Sequence, residues 1–420
     1  MKEKIIRVIK ILGPGMIFAS LMIGETHLAL QAYAGALYGM AFLWLVVLVH
    51  IVYYPIYEYG CRYAVASGKS LIEGYGELKY GKALFWYFFF FMLLTPTLIM
   101  GSLVGLIGAV LNTAFPFASF NTWCTITYII TTAIIIGGRY KLVEGISKII
   151  MLVLVIITVF AFLTSPPSAG EFFSGLIPSI PAVAGVWVVI VAMLRVPTDP
   201  AASIFLSEWA KEKRVEWGDQ KEVLVSSMKK SLFDLRTGWI ISFIVAIAFM
   251  GLGAVIFKPR GIVPEGLEVA LRLSEIYTKT FGAWMFPVFI IAAFVAFWGG
   301  YVSVQDGIHR LFRKIAEKLF NPKEKVRDRI GDLYLIIVAG GGLLMTTIYQ
   351  RPMFMVILAL SMAFLYFPLV IGLNTYCVTR KIDKEFRPGK ISIFVVLCGF
   401  VLGMTGLVLL VVVRVLKILQ

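Results

Sequence analysis

The feature that most constrains this chain is the recurrence of apolar blocks near 20 residues long, each bounded by charged or turn residues. An apolar helix needs about 20 residues to cross the hydrocarbon core of a bilayer, and inside that core each backbone polar group must find its partner within the segment. Eleven such blocks are predicted, over roughly 11–34, 39–60, 83–112, 121–137, 146–164, 180–208, 237–257, 282–304, 332–349, 353–377 and 391–416. Hydrophobic residues make up 60% of the chain and charged ones 15%, against about 45–50% and about 25% in a soluble domain. The fold class is therefore all-α integral membrane, in a multi-pass protein of the cell membrane.

The net charge of +15 does not point to nucleic acid, because Lys and Arg sit between the blocks and not on one polar face. With the N-terminus placed inside, 31 of the 39 Lys and Arg fall in segments on the cytoplasmic side and 7 outside. Positive loops stay in the cytoplasm, so the expected topology is N-terminus cytoplasmic and C-terminus outside. The basic start "MKEKIIRVIK" lacks a small-residue cleavage site and reads as a retained cytoplasmic segment. The remaining cation, Arg195, lies inside a block. Four scattered cysteines show neither disulfide nor zinc spacing. The loop at 209–236 is expected to be cytoplasmic helix, and the basic amphipathic stretch 309–329 an interfacial helix on anionic lipid.

Two blocks are interrupted. Span one contains "LMIGETHLALQAYAG", with Gly24, Glu25, Thr26 and His27 near its middle; span six contains "LRVPTDPAAS", with Arg195, Val196, Pro197, Thr198, Asp199 and Pro200. Proline removes a backbone donor and disfavours helix at the preceding residue. A charge at the centre of a span costs about 2.5–3.5 kcal/mol on insertion scales and persists where it lines a polar path. Five spans separate the two interruptions. That spacing predicts two inverted five-helix repeats, each opening on a broken helix whose unwound backbone helps form a midplane binding site. The expected bounds are 1–167 and 178–377 for the repeats, with an extra C-terminal helix at 391–417.

Glu25, His27 and Asp199 are the candidate cation ligands, and Gly24 and Pro197 are the residues that let the helices open. Structural readings stand beside these. Glu25 and Arg195 could neutralise each other, Asp199 could cap the second half of span six, and His27 could be a core histidine. Thr26 and Thr198 could only satisfy broken backbone. His50, Tyr366 and Asn374 either line the cavity or join helices. Pro96 reads as a threonine-relieved kink, and Asp306–Arg310 as a local i,i+4 pair.

The stretches "GPGMIFAS", "LQAYAGALYG", "CRYAVASGKSLIEGYG", "VPTDPAAS", "VQDGIHR" and "FPLVIGLNTYCV" resemble, in the same order, the natural resistance-associated macrophage protein (Nramp) family of divalent-metal transporters. Arg62, Gly68, Lys69, Leu71 and Glu73 keep that family's register. The resemblance implies a leucine-transporter-like (LeuT-like) fold and proton-coupled import of divalent metal by alternating access. It implies metal held between an Asp-Pro-Gly-Asn break and a Met-Pro-His break. Here those positions are Gly24, Glu25, Thr26 and His27, then Val196, Pro197 and Thr198. The ligand set has changed, and with Val196 the soft sulfur ligand is lost. Oxygen donors then favour manganese or hydrated magnesium.

The expected function is thus a secondary transporter of Mn/Mg/Fe-class cations, with metal as substrate, protons as coupling ion, no cofactor, no nucleic acid and no obligate protein partner. It is expected to act as a monomer in the bilayer. The alternative is a carrier of a small organic acid or amino acid, with Arg195 clamping the carboxylate. A sensor or scaffold that has lost its site is a third reading. No nucleophile triad, phosphate loop or paired-metal motif supports an enzyme.

Overall fold

The computed structural model describes residues 14–138, 140–183, 185–218 and 221–418. The N-terminal segment expected in the cytoplasm lies outside the described residues. Within them the chain is helical and carries no strand. Span one comprises Pro14–Met22, Ile23–Gln31 and Ala32–Tyr38, and span two is Leu43–Ser67. Spans three to five are Gly81–Ala114, Phe120–Ile136 and Tyr140–Thr164. Span six is Val186–Met193 with Ala202–Trp217, and span seven Lys221–Leu252 with Gly253–Phe257. Spans eight and nine are Met285–Phe320 and Glu324–Tyr349; span ten is Pro352–Met362 with Phe367–Arg380; span eleven is Lys390–Ile418. Six of the described helices are long and apolar enough to cross a membrane alone, and the bent pair of span ten makes a seventh. Spans one and six reach membrane length only as composite elements.

Span one does not unwind. Between Gly15 and Tyr54 the chain has no proline, so no backbone donor is missing. The polar stretch is accommodated by widening: Ile23–Gln31 is a π-helix, buried along its whole length. Such wide turns are frequent at functional sites. Span six does open. Pro197 and Pro200 cannot donate, and residues 194–201 leave the helical path. Span ten also breaks, at Ala363–Tyr366, where its halves bend by 53°. The sequence reading placed no interruption there, although Pro368 opens the second half.

Span one is held against span seven by backbone contact. A Cβ on Gly35 would lie 2.1 Å from the Met250 carbonyl oxygen, and one on Gly15 would lie 2.4 Å from that of Asp234. Only glycine permits that approach. The Asp234 carboxylate also accepts the Gly15 N–H at 2.7 Å, satisfying a donor at the start of span one.

The 309–329 stretch is not a separate interfacial helix. Spans eight and nine run on past the apolar region and meet at Asn321, which ends span eight in a left-handed conformation. Their charges pair with each other: Arg313 with Asp328 at 2.5 Å and His309 with Asp332 at 2.8 Å. The 209–236 segment is helical as expected, as extensions of spans six and seven.

The two ends of the bundle differ. At the end rich in Lys and Arg, the short helix Leu71–Gly76 begins in a capping box between Ser70 and Glu73. Glu73 then takes Lys211 of span six at 2.7 Å and Lys314 of span eight at 3.0 Å. Lys381 of span ten bonds the Gly74 carbonyl and Glu77. At the opposite end a vestibule of about 670 Å³ opens among Tyr33, Tyr38, Val188, Glu265, Arg351 and Ser361. Among the described residues the basic end is thus cross-linked by ion pairs, while the other end holds the vestibule.

Candidate functional site

The three interrupted elements meet in a small cavity of about 30 Å³. Its polar lining is Glu25 from span one, Thr198 and Asp199 from span six and Tyr366 from span ten. The walls are apolar, with Leu21, Met92 and Phe205 among them. Since one water needs about 10–15 Å³ of such space, the cavity admits about two water-sized occupants. Ser361 of the vestibule lining follows Leu360 of the cavity lining in the chain, so the two spaces are neighbours along span ten.

The two carboxylates are not equivalent. Asp199 Oδ1 accepts the Ala201 N–H at 2.7 Å, close to the cap of the second helix half expected from the sequence. Its Oδ2 pairs with Arg195 Nη2 at 2.8 Å and accepts the Tyr366 hydroxyl. Arg195 thus pairs within the break, at i,i+4, and not with Glu25. Glu25 Oε2 accepts one hydrogen bond, from the Ser102 hydroxyl of span three at 2.5 Å. Among the described residues Glu25 has no ion-pair partner within 4 Å, so one carboxylate in the cavity is charge-compensated and the other is not.

His27 stands elsewhere. Its Nε2 lies 2.6 Å from the Ser242 hydroxyl of span seven, and its ring is centred 6.0 Å from that of His50. Residues i and i+2 on a helix point to nearly opposite sides. Because span one stays helical, Glu25 and His27 cannot converge as they would on unwound backbone. Among the described residues no group of three or more His, Cys, Asp or Glu side chains could hold a metal ion. Thr26 bridges the two interruptions by donating to the Pro197 carbonyl at 2.8 Å. The carbonyl of Thr198 accepts the Tyr57 hydroxyl at 2.8 Å. Gly24 allows close approach to span eight, since a Cβ there would lie 3.1 Å from the Ala296 carbonyl oxygen. Val196 is buried and supplies no polar atom.

Asn374 lies outside the cavity. It donates to the Ile56 carbonyl and the Ser203 hydroxyl and accepts from Tyr75, which ties spans two, six and ten together towards the basic end. Ser102 was missed in the sequence. A serine in an apolar helix usually bonds its own backbone, as Ser102 also does with the Ile99 carbonyl at 2.8 Å, so nothing local distinguishes it.

Comparison with known proteins speaks to the family and the fold. An uncharacterised protein of Pasteurella multocida is 29% identical over 309 residues, 71% of this chain and 69% of that protein. The divalent metal cation transporter MntH of Caldanaerobacter subterraneus is 23% identical over 291 residues, 68% of this chain and 67% of its own. The fold matches that of a manganese transporter of Eremococcus coleocola, crystallised with an aromatic bis-isothiourea compound. The TM-score is 0.72 at 14% identity, over 95% of this chain and 85% of that one. The family model described as natural resistance-associated macrophage protein-like matches residues 15–414. The chain has the LeuT-like fold, and it belongs to the Nramp family.

Proposed function

We propose that the protein is a secondary transporter in the cell membrane that imports divalent metal cations by alternating access, coupled to protons, with its N-terminus in the cytoplasm. The observation that carries this reading is Glu25, a buried carboxylate in a small cavity, without an ion-pair partner among the described residues. An uncompensated buried charge is costly, so Glu25 is occupied in turn by a proton and by a cation. Asp199, Thr198 and Tyr366 add oxygen donors around the same space. Carboxylate, hydroxyl and carbonyl oxygens suit hard cations, and Met92 in the wall offers one softer contact.

The size of the cavity adds a preference. About 30 Å³ does not hold an ion with its full shell of water. Magnesium gives up that shell reluctantly, so manganese is favoured over magnesium in a cavity of this size. An anion carrier would need a free cation, and the Arg195 guanidinium is already engaged by Asp199 and two carbonyl oxygens.

Uptake of Mn²⁺ and Mg²⁺ into proteoliposomes, with and without an inward proton gradient, tests the reading. Mn²⁺ uptake stimulated by the gradient is expected, and Glu25→Gln is expected to abolish it. Calorimetric Mn²⁺ binding that is the same in Glu25→Gln as in the parent protein would remove Glu25 from the site and the proposal with it.

A further inference from the structure

Spans six and ten break at the same level, and a helix that ends leaves carbonyl oxygens without helical partners. Arg195 gathers oxygens from both breaks. Its Nε donates to the Leu360 carbonyl at 3.2 Å and its Nη1 to the Thr198 carbonyl at 3.1 Å. Its Nη2 meets Asp199 Oδ2 at 2.8 Å. The guanidinium carbon lies 5.3 Å from the Phe367 ring centre and 5.9 Å from that of Phe364, and the whole side chain is excluded from solvent. Two carbonyls and a carboxylate around one positive charge, closed off by aromatic rings, form the kind of oxygen set that holds a desolvated inorganic cation at broken helices.

We infer that Arg195 is a tethered cation. Its guanidinium occupies a fixed cation position between the breaks of spans six and ten and holds Asp199 neutralised through the whole cycle. Arginine suits this role, because it stays protonated at any working pH and its planar fork serves several acceptors at once. The consequence, which rests on the transport reading above, is that Glu25 alone exchanges soluble cation or proton while Asp199 keeps its partner. Arg195 is then a positioning residue: it touches no substrate, and it fixes the geometry and charge of the groups that do.

Removing the side chain while keeping the oxygen set tests this directly. Purified Arg195→Ala is expected to melt below the parent protein and to regain several degrees, saturably, when guanidinium ion is added well below denaturing concentrations. The parent protein is expected only to lose stability under the same addition. In proteoliposomes the variant is expected to lose Mn²⁺ uptake and to recover it with guanidinium. The melting measurement needs no knowledge of the cargo, so failure of the transport reading and failure of this inference are distinguishable. A variant that melts lower with guanidinium in the same way as the parent would overturn the inference.

If Arg195→Ala does not fold, Asp199→Asn keeps the shape and leaves the guanidinium charge uncompensated beside the cavity. Half-saturating Mn²⁺ is then expected to rise about tenfold through repulsion. An unchanged half-saturation would show that Asp199 and Arg195 do not set the charge of the site.

Discussion

Replacing Glu73 with Gln should unlatch the basic end of the bundle. Its carboxylate accepts Lys211 Nζ at 2.7 Å, Lys314 Nζ at 3.0 Å and the Ser70 N–H at 2.8 Å. One side chain thus ties the 71–76 helix to spans six and eight, which part at this end under the transport proposal. Burial alone would raise the Glu73 carboxyl, but the hydrogen bonds from Lys211, Ser70 and Lys314 outweigh it and hold it at about 2. The gap from the ordinary 4.5 sets a ceiling of about 3 kcal/mol on what these partners contribute. The group sits at the rim, and solvent screening reduces that to about 1–2 kcal/mol. A bias of that size shifts a two-state equilibrium about 5–30-fold. A carboxyl held low stabilises the latched state fully above pH 4.5 and loses that contribution as pH falls through about 2, so the latch does not titrate near neutrality. The assay is accessibility of the cavity from the basic end. Ala201 lines it and is buried. Ala201→Cys, in a background without the native cysteines, is labelled from the basic side of inverted vesicles by an impermeant maleimide. Labelling is expected to quicken about 5–30-fold with Glu73→Gln. Equal rates at pH 7 with and without Glu73→Gln would refute the latch.

Ser102→Ala removes the hydroxyl that competes with a cation for Glu25 Oε2. A hydrogen bond to a charged group is worth about 1.5–3 kcal/mol, so half-saturating Mn²⁺ is expected to fall about tenfold; an unchanged or higher value would count against that competition. Gly35→Ala places a Cβ where the Met250 carbonyl already sits. A loss of about 1–3 kcal/mol is expected, read as a lower melting temperature in detergent, whereas Gly372→Ala, with open space around it, is expected to leave melting unchanged.

The sequence was most legible where local chemistry decides the structure. The all-helical membrane fold follows from the apolar blocks, of which up to seven are long and apolar enough to cross among the described residues, and the opening of span six follows from Pro197 and Pro200, each without a donor. It was least legible where distant packing decides. Gly24 to His27 read as unwound backbone, yet whether a polar turn opens or widens depends on what surrounds it, and here spans seven and eight press on Gly35 and Gly24. The break in span ten carries Pro368, but a proline in the first turn of a helix is ordinary and gives no sign that a helix also ends just before it. The sequence reading offered Glu25 as the partner of Arg195 and did not name Asp199, because once a break intervenes i,i+4 spacing no longer fixes contact. The 309–329 stretch misled because paired charges on protruding helices and a lipid-facing interfacial helix share one amphipathic pattern.

The change of ligands and the change of backbone in span one have a common cause. Glu25 stands at the position where the resembling family has proline, and Gly24 where it has the aspartate. The residue that brings a carboxylate to the cavity is therefore also the one that restores the missing backbone donor. With that donor present the helix widens and does not open, and a helical path sends His27 away from the cavity towards Ser242. The cavity beside Glu25 is lined instead by polar groups from other spans, Thr198, Asp199 and Tyr366. Asp199 comes with its own cation in Arg195, which leaves Glu25 as the carboxylate of the cavity without an ion-pair partner among the described residues. Reverting only Gly24 to Asp would accordingly not rebuild the family's usual site. It would place a second carboxylate against the Ala296 backbone, on a helix that still carries every donor it needs to stay closed.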